Sequence, residues 1–192
     1  DAFLDTGALE RERGITILSK QARLPLPGAE VTLVDTPGHV DFSSEMERTL
    51  QVLDYAVLVV SGTDGVQGHT RTLWRLLEQY RIPAFLFINK MDLPGADRGA
   101  VLEQLRTQLG EGCVDFGQPE AALWEQVALC GEEALERYLE QGKLSHRDAA
   151  ELIRRRRLFP CLFGSALRLE GVDALLEVLE RDTLAPVYGP DF

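Results

Sequence analysis

The stretch Val31 to Phe42, V-T-L-V-D-T-P-G-H-V-D-F, decides how the rest of the 192-residue chain is read. Val31 to Val34 is a short apolar and β-branched run, which reads as a buried strand, and Pro37 with Gly38 stops it. The polar cluster from Asp35 to His39 therefore sits at the strand's carboxyl end. In open parallel α/β sheets ligands bind at that end, where an Asp can hold a hydrated Mg²⁺ beside a phosphate chain. A glycine there lets a backbone N–H come close to a terminal phosphate. The plainer reading is a Pro-Gly turn with a solvated histidine. Asp-Thr-Pro-Gly arises by chance in roughly one chain of this length in a thousand, so its meaning depends on what else the chain carries.

On the amino-terminal side, Lys20 to Leu26 reads as an edge strand, because Pro25 and Pro27 cannot donate to a ladder. Gly28 then turns the chain into the strand at Val31, which predicts a hairpin. On the other side Ser43 can cap a helix to about Leu53, with Met46, Leu50 and Leu53 at helical spacing. Tyr55 to Val60 is the next buried strand. Its end, S-G-T-D-G-V-Q-G, is rich in glycine, but no Lys follows in the G-x-x-x-x-G-K-[ST] register, so it reads as a strand-to-helix connection. The helix from His69 to Tyr80 places Leu73, Leu76, Leu77 and Tyr80 on one side, with His69 solvated at its start. Pro83 to Ile88 is a third apolar strand that delivers Asn89-Lys90-Met91-Asp92 to the same sheet edge as Asp35. Asp97 can cap a helix to Leu109 that Gly110 ends. Strands alternating with helices in this way predict parallel βαβ units and an α/β fold.

The alternation lapses between Gly112 and Arg157, where short helical runs predict a small insert: Ala121 to Leu129, Glu132 to Gln141, and Ser145 to Arg156. Ser145 and Asp148 have capping-box spacing, and Trp124 and Tyr138 are core anchors. Arg154 to Arg157 invites an RNA-binding reading, but four Arg in a helix's last turn also complement its macrodipole, which is the preferred reading. Leu158 to Phe163 is a fourth apolar strand, expected to be broken by Pro160, and it leads to Gly164-Ser165-Ala166-Leu167. Gly171 to Glu180 is a closing helix, with Val172, Leu175, Leu176 and Leu179 facing the sheet. Residues 182–192 read as a linker to a following domain.

Composition narrows the partners. With 20 basic against 31 acidic residues the net charge is −11, which disfavours broad adhesion to nucleic acid or anionic membrane. DNA is not an expected partner, and any RNA must be met through a small local surface. Cys113, Cys130 and Cys161 are far apart in sequence and lack C-x-x-C spacing, which argues against a disulfide framework or zinc site and for a reducing cytoplasm. No apolar run approaches the ~20 residues of a spanning helix. The chain opens at Asp1 rather than Met, so a fragment is expected.

Four pieces in order, R-E-R-G-I-T-I (Arg11 to Ile17), D-T-P-G-H (Asp35 to His39), N-K-M-D (Asn89 to Asp92) and G-S-A-L (Gly164 to Leu167), resemble the G domain of the translation-factor GTPases. Arg-Gly-Ile-Thr-Ile followed by Asp-Thr-Pro-Gly-His marks the elongation-factor branch. The chain is similar to elongation factor G and more closely to the tetracycline ribosomal-protection proteins, in insert length and in runs such as L-F-P-C-L-F-G-S-A. The resemblance implies a P-loop-type G domain over residues 1–181, with a mostly parallel sheet, flanking helices and a helical insert at 112–157. It implies a cytoplasmic, monomeric, ribosome-dependent enzyme that binds GTP, GDP and Mg²⁺.

Site roles follow from the same resemblance. Thr16 would ligate Mg²⁺ and meet the γ-phosphate, Asp35 would hold Mg²⁺ through water, and Gly38 would donate its N–H to the γ-phosphate. These two segments would be switches, ordered while that phosphate is present. His39 would orient the attacking water, with Ile15 part of an apolar gate. Asp92 would accept two guanine N–H donors, Lys90 would pack its stem along the base, and Asn89 would fix the loop. Backbone N–H groups of Ser165 and Ala166 would meet the guanine oxygen. The chemistry agrees: phosphoryl transfer to water needs a metal, donors at the phosphate and a positioned water, and a carboxylate bidentate to guanine excludes adenine.

One departure stands out. The G-x-x-x-x-G-K-[ST] loop occurs nowhere in this sequence. The resemblance places that loop, and a strand between those at Val31 and Tyr55, upstream of Arg11. The expectation is a domain whose first strand precedes Asp1. The alternatives are an elongation factor G paralogue acting in translocation, and a ribosome-binding relic that works without GTP.

Overall fold

In the computed structural model the described residues are 20–36 and 43–186, and they divide between two compact units that meet in sequence at Leu53 and Asp54. Thr16, Gly38 and His39 lie outside the described residues, as do Ile15, the segment from Arg11 to Ile17 and residues 187–192.

In the first unit β1 (Lys20–Leu26) and β2 (Ala29–Asp35) form an antiparallel hairpin, as the two prolines and Gly28 predict. The register runs from Lys20 opposite Asp35 to Leu26 opposite Ala29, so Asp35 ends its strand. Helix α1 (Ser43–Leu50) buries Met46 and Leu50. It stops short of the expected Leu53, because the N–H groups of Val52 and Leu53 bond three residues back, to Thr49 and Leu50, and tighten the end into a turn.

The second unit is built on a four-stranded parallel sheet in the order β3-β4-β6-β5, with β3 (Ala56–Ser61), β4 (Ala84–Asn89), β5 (Cys113–Asp115) and β6 (Phe159–Phe163). Every residue of β4 from Ala84 to Ile88 is buried, as an apolar run sandwiched between strands and helices should be. Pro160 does not break β6. The β4·β6 ladder begins at Leu86 opposite Cys161, so the N–H that Pro160 lacks falls just before it, while on the other side Pro160 stands opposite Val114. The three-residue β5 was not foreseen: its run is too short to show a period. Strand β3 has no partner on its outer edge among the described residues, and its Val57 and Val59 are exposed while Leu58 and Val60 are buried.

Helices α2 (Gly68–Gln79), α3 (Arg98–Gln108), α4 (Glu120–Ala128), α5 (Glu132–Gln141), α6 (His146–Arg154) and α7 (Val172–Arg181) complete this unit. Their ends follow local chemistry. Asp97 Oδ1 accepts the Ala100 N–H at 2.9 Å to start α3, and Ser145 and Asp148 form the reciprocal box that starts α6. Trp74 is the deepest aromatic of α2, with its indole N–H donating to Leu109 O at 2.8 Å.

The insert is not a separate lobe. Leu123, Trp124, Val127 and Ile153 share one apolar cluster with Phe85 and Phe87 of β4 and Leu162 of β6. The arginine run departs from the dipole reading as well. Helix α6 ends at Arg154, and Arg156 adopts a left-handed φ of 54° beyond it. Its guanidinium lies 5.0 Å from the Trp74 ring centroid and 5.2 Å from that of Phe159, and donates to Ile82 O. Arg154 pairs with Glu151 and Arg155 with Glu133, so of the four only Arg157 has neither an ion pair nor a ring contact among the described residues. All three cysteines are free thiols, and burial pushes the Cys130 thiol up to about 11.

Candidate functional site

The site expected at the sheet's carboxyl edge assembles from the ends of β3, β4 and β6. Parallel register puts Ser61 opposite Asn89 and Ile88 opposite Phe163, so three polar loops leave the sheet side by side. Asn89 is the knot between them. Its Oδ1 accepts the Lys90 N–H at 2.8 Å and the Ala166 N–H at 2.9 Å, and its backbone oxygen accepts the Gly62 N–H at 2.7 Å. A second tie runs from the Met91 N–H to Gly164 O at 3.0 Å. Lys90 takes a left-handed φ of 66°, uncommon without glycine, and its side chain is exposed.

Glycines let these loops approach each other. A Cβ on Gly164 would collide with the backbone oxygen of Glu170 and sit 3.0 Å from the Phe87 ring, and one on Gly62 would sit 2.5 Å from Met91 Sδ. Ser165 and Glu170 exchange both backbone hydrogen bonds at 3.0 Å, which closes a tight turn around the short 3₁₀ segment Ala166–Arg168. Leu169 and Gly171 complete the turn with φ of 60° and 76°.

Asp92 sits within this frame. The Ser165 hydroxyl beside its carboxylate is the main cause that holds the Asp92 pKa below the usual range. The Arg168 guanidinium adds a smaller effect in the same direction, with Nε 3.4 Å from Asp92 Oδ2. An ionised carboxylate held by donors from one side can offer its remaining lone pairs to two further N–H groups.

The structure brings together Asn89, Lys90, Asp92, Ser165 and Ala166, five residues that sequence reasoning singled out. The two backbone donors expected to meet a guanine oxygen already have acceptors: Ser165 N–H bonds to Glu170 O and Ala166 N–H to Asn89 Oδ1. The next N–H, that of Leu167, has no acceptor among the described residues, and the Leu167 side chain is exposed. Asp35 stands at the carboxyl end of β2 in the other unit. Among the described residues no group of three or more His, Cys, Asp and Glu could hold a metal.

Two contributors escaped the sequence reading. Gly62 belongs to the glycine-rich loop dismissed as a phosphate cradle, yet its N–H supports Asn89. Arg168 lies one residue past G-S-A-L, where nothing in a linear pattern pairs it with Asp92. A cleft of about 820 Å³ lies elsewhere, on the insert near Cys130, and its Arg137 and Arg155 are already paired with Asp148 and Glu133. No helix among the described residues is long and apolar enough to cross a membrane.

Comparison with known proteins gives the family and the fold. The family model described as the elongation factor Tu GTP binding domain matches residues 1–184. Elongation factor G of Ureaplasma urealyticum serovar 10 and elongation factor G of Ureaplasma parvum serovar 3 are each 32% identical, over 98% of this chain and 35% of the relative. The chain thus spans about a third of the length of the curated relatives it matches. A crystal structure of a Thermus thermophilus protein superposes with a TM-score of 0.83 at 25% identity, over 95% of this chain and 34% of that one.

Proposed function

The chain belongs to the family of elongation factor Tu GTP-binding domains, and from that membership we propose that it is the nucleotide-binding domain of a ribosome-dependent GTPase of the elongation factor G class. The observation that carries this reading is the Asn89 Oδ1 to Ala166 N–H bond at 2.9 Å, which ties the Asn-Lys-Met-Asp loop to the Ser-Ala-Leu loop around Asp92. Asp92 reads guanine through its two N–H donors, Lys90 lies along the base, and adenine is disfavoured because it lacks the donors that would pair with the carboxylate. The Leu167 N–H is the better placed backbone donor for the guanine oxygen, since those of Ser165 and Ala166 are engaged. Asp35 and Thr16 would hold Mg²⁺, which would supply positive charge against that developing on the phosphates. Gly38 meets the γ-phosphate and His39 orients the attacking water.

We read residues 1–181 as one domain. The outer edge of β3, unpaired among the described residues, and its exposed Val57 and Val59 suit a phosphate-loop strand and helix as their cover. Within the class, the tetracycline ribosomal-protection reading rests on the insert length and on the run from Leu158 to Ala166. The curated relatives are named elongation factor G, which favours an elongation factor G paralogue, acting in translocation, as a second reading.

Calorimetry on the full-length protein tests the assignment: GTP and GDP should bind at least ~10²-fold more tightly than ATP and ADP. Equal affinities would overturn it. His39→Ala tests the catalytic half in single-turnover hydrolysis with and without ribosomes. The ribosome-stimulated rate should fall by roughly 10²-fold or more while nucleotide affinity stays within a few fold. Equal losses in both conditions would make His39 a structural residue.

A further inference from the structure

We infer that Arg168 is a specificity-determining residue of the base subsite, a resident counter-ion that competes with guanine's two N–H donors for Asp92. The inference rests on the guanine-reading role of Asp92 proposed above.

The carboxylate of Asp92 is covered: its side chain keeps 8% of its surface, while that of Arg168 keeps 59%. Of the groups that hold it, Ser165 cannot leave. That residue is 1% exposed, locked by its paired backbone bonds to Glu170, and its Oγ also accepts the Arg168 N–H at 3.4 Å. Arg168 can leave. Its backbone is fixed by a bond to Ser165 O at 3.1 Å, but its side chain is mostly in solvent. Its one contact to the carboxylate, 3.4 Å from Nε to Oδ2, is longer than a charge-assisted hydrogen bond and has no second parallel bond. Exposed pairs of this kind are weak enough to exchange.

The chemistry of the two purines then decides the consequence. Guanine presents two adjacent donors and needs both carboxylate oxygens, one of which has the Arg168 guanidinium 3.4 Å away. The guanidinium and the base therefore compete for that oxygen. Adenine lacks those donors, and a pocket built around an anion rejects it because the anion is left unpaired. With Arg168 in place that anion is not unpaired. The arginine therefore slows guanine and softens the penalty on adenine, and its removal should sharpen discrimination.

The experiment compares wild type, Arg168→Ala and Arg168→Lys in the full-length protein, with GDP and ADP as probes. Stopped-flow gives association rates and calorimetry gives affinities. ADP carries the same phosphates, so it controls for the loss of a positive charge near an anionic ligand. Arg168→Ala should bind GDP about 2- to 5-fold faster and raise the GDP to ADP affinity ratio by a similar factor. Arg168→Lys, which keeps a cation beside Asp92, should stay near wild type. A rate unchanged or slower for GDP in Arg168→Ala, with the ratio unchanged or lower, overturns the inference and leaves the guanine reading standing. A wild type that does not prefer GDP to ADP refutes the guanine reading and this inference with it. Unfolding midpoints within about 2 °C of one another confirm that the variants compare like with like.

Discussion

Two of the Arg–Asp pairs around the parallel sheet are built differently. Arg98 grips Asp115 with both branches, Nε to Oδ2 at 2.6 Å and Nη2 to Oδ1 at 2.5 Å, while Asp115 also accepts the Gly117 N–H at 2.8 Å. The Arg98 guanidinium lies 4.6 Å over the Phe163 ring, so both its edge and its face are used. Arg168 approaches Asp92 at 3.4 Å, longer than a charge-assisted hydrogen bond, with its side chain mostly in solvent. The first pair has its lone pairs and donors arranged for permanence and fastens α3 to the start of the insert. The second leaves a carboxylate with unspent acceptor capacity, as a binding site requires. Sequence shows four charged residues; only the number and length of their contacts separates a clamp from a reader.

The sharpest way to break this comparison is Asp92→Asn in the full-length protein. An amide offers a donor where guanine also presents one, so preference for guanine should fall by about 10²-fold or more. Xanthosine nucleotides, which carry a carbonyl there, should recover binding. If competition assays show guanine preference intact, Asp92 is not the reader and the two pairs differ only in strength.

Asp115→Ala tests the other half. It leaves Arg98 without its partner and the Gly117 N–H without an acceptor, at a cost of about 2–3 kcal/mol in urea unfolding, discounted because Arg98 is partly solvated. The GDP to ADP ratio should stay unchanged. A shift in that ratio with little loss of stability would mean the clamp is part of the reader.

A smaller effect sharpens the contrast within the arginine run. Arg156→Ala should cost about 1–2 kcal/mol, from its stacking on Trp74 and Phe159 and its bond to Ile82 O. Arg157→Ala, exposed and without an ion pair among the described residues, should stay within about 0.5 kcal/mol. Equal losses by thermal unfolding would show that the run acts as one charged patch.

What the sequence determined by itself is the part that depends on neighbours along the chain. The hairpin at Pro25 to Gly28, the apolar strand from Pro83, the Asp97 cap and the Ser145–Asp148 box are each written within a few residues, because turns, caps and strand periods are local physics. The positions of the residues proposed to read the base were legible for the same reason, since they follow the ends of apolar strands, while their roles came from the resemblance to translation-factor GTPases. Tertiary structure decided what depends on residues far apart. Pro160 stays inside β6 because of where the β4·β6 ladder begins, and the insert shares its core with β4 because Trp124, Ile153 and Phe87 meet in space. Arg156 leaves its helix to lie on Trp74, and Arg168 finds Asp92 from a distant part of the chain. Packing and charge pairing fall off with distance in space, not in sequence, so a linear pattern names the candidates and folding selects their partners.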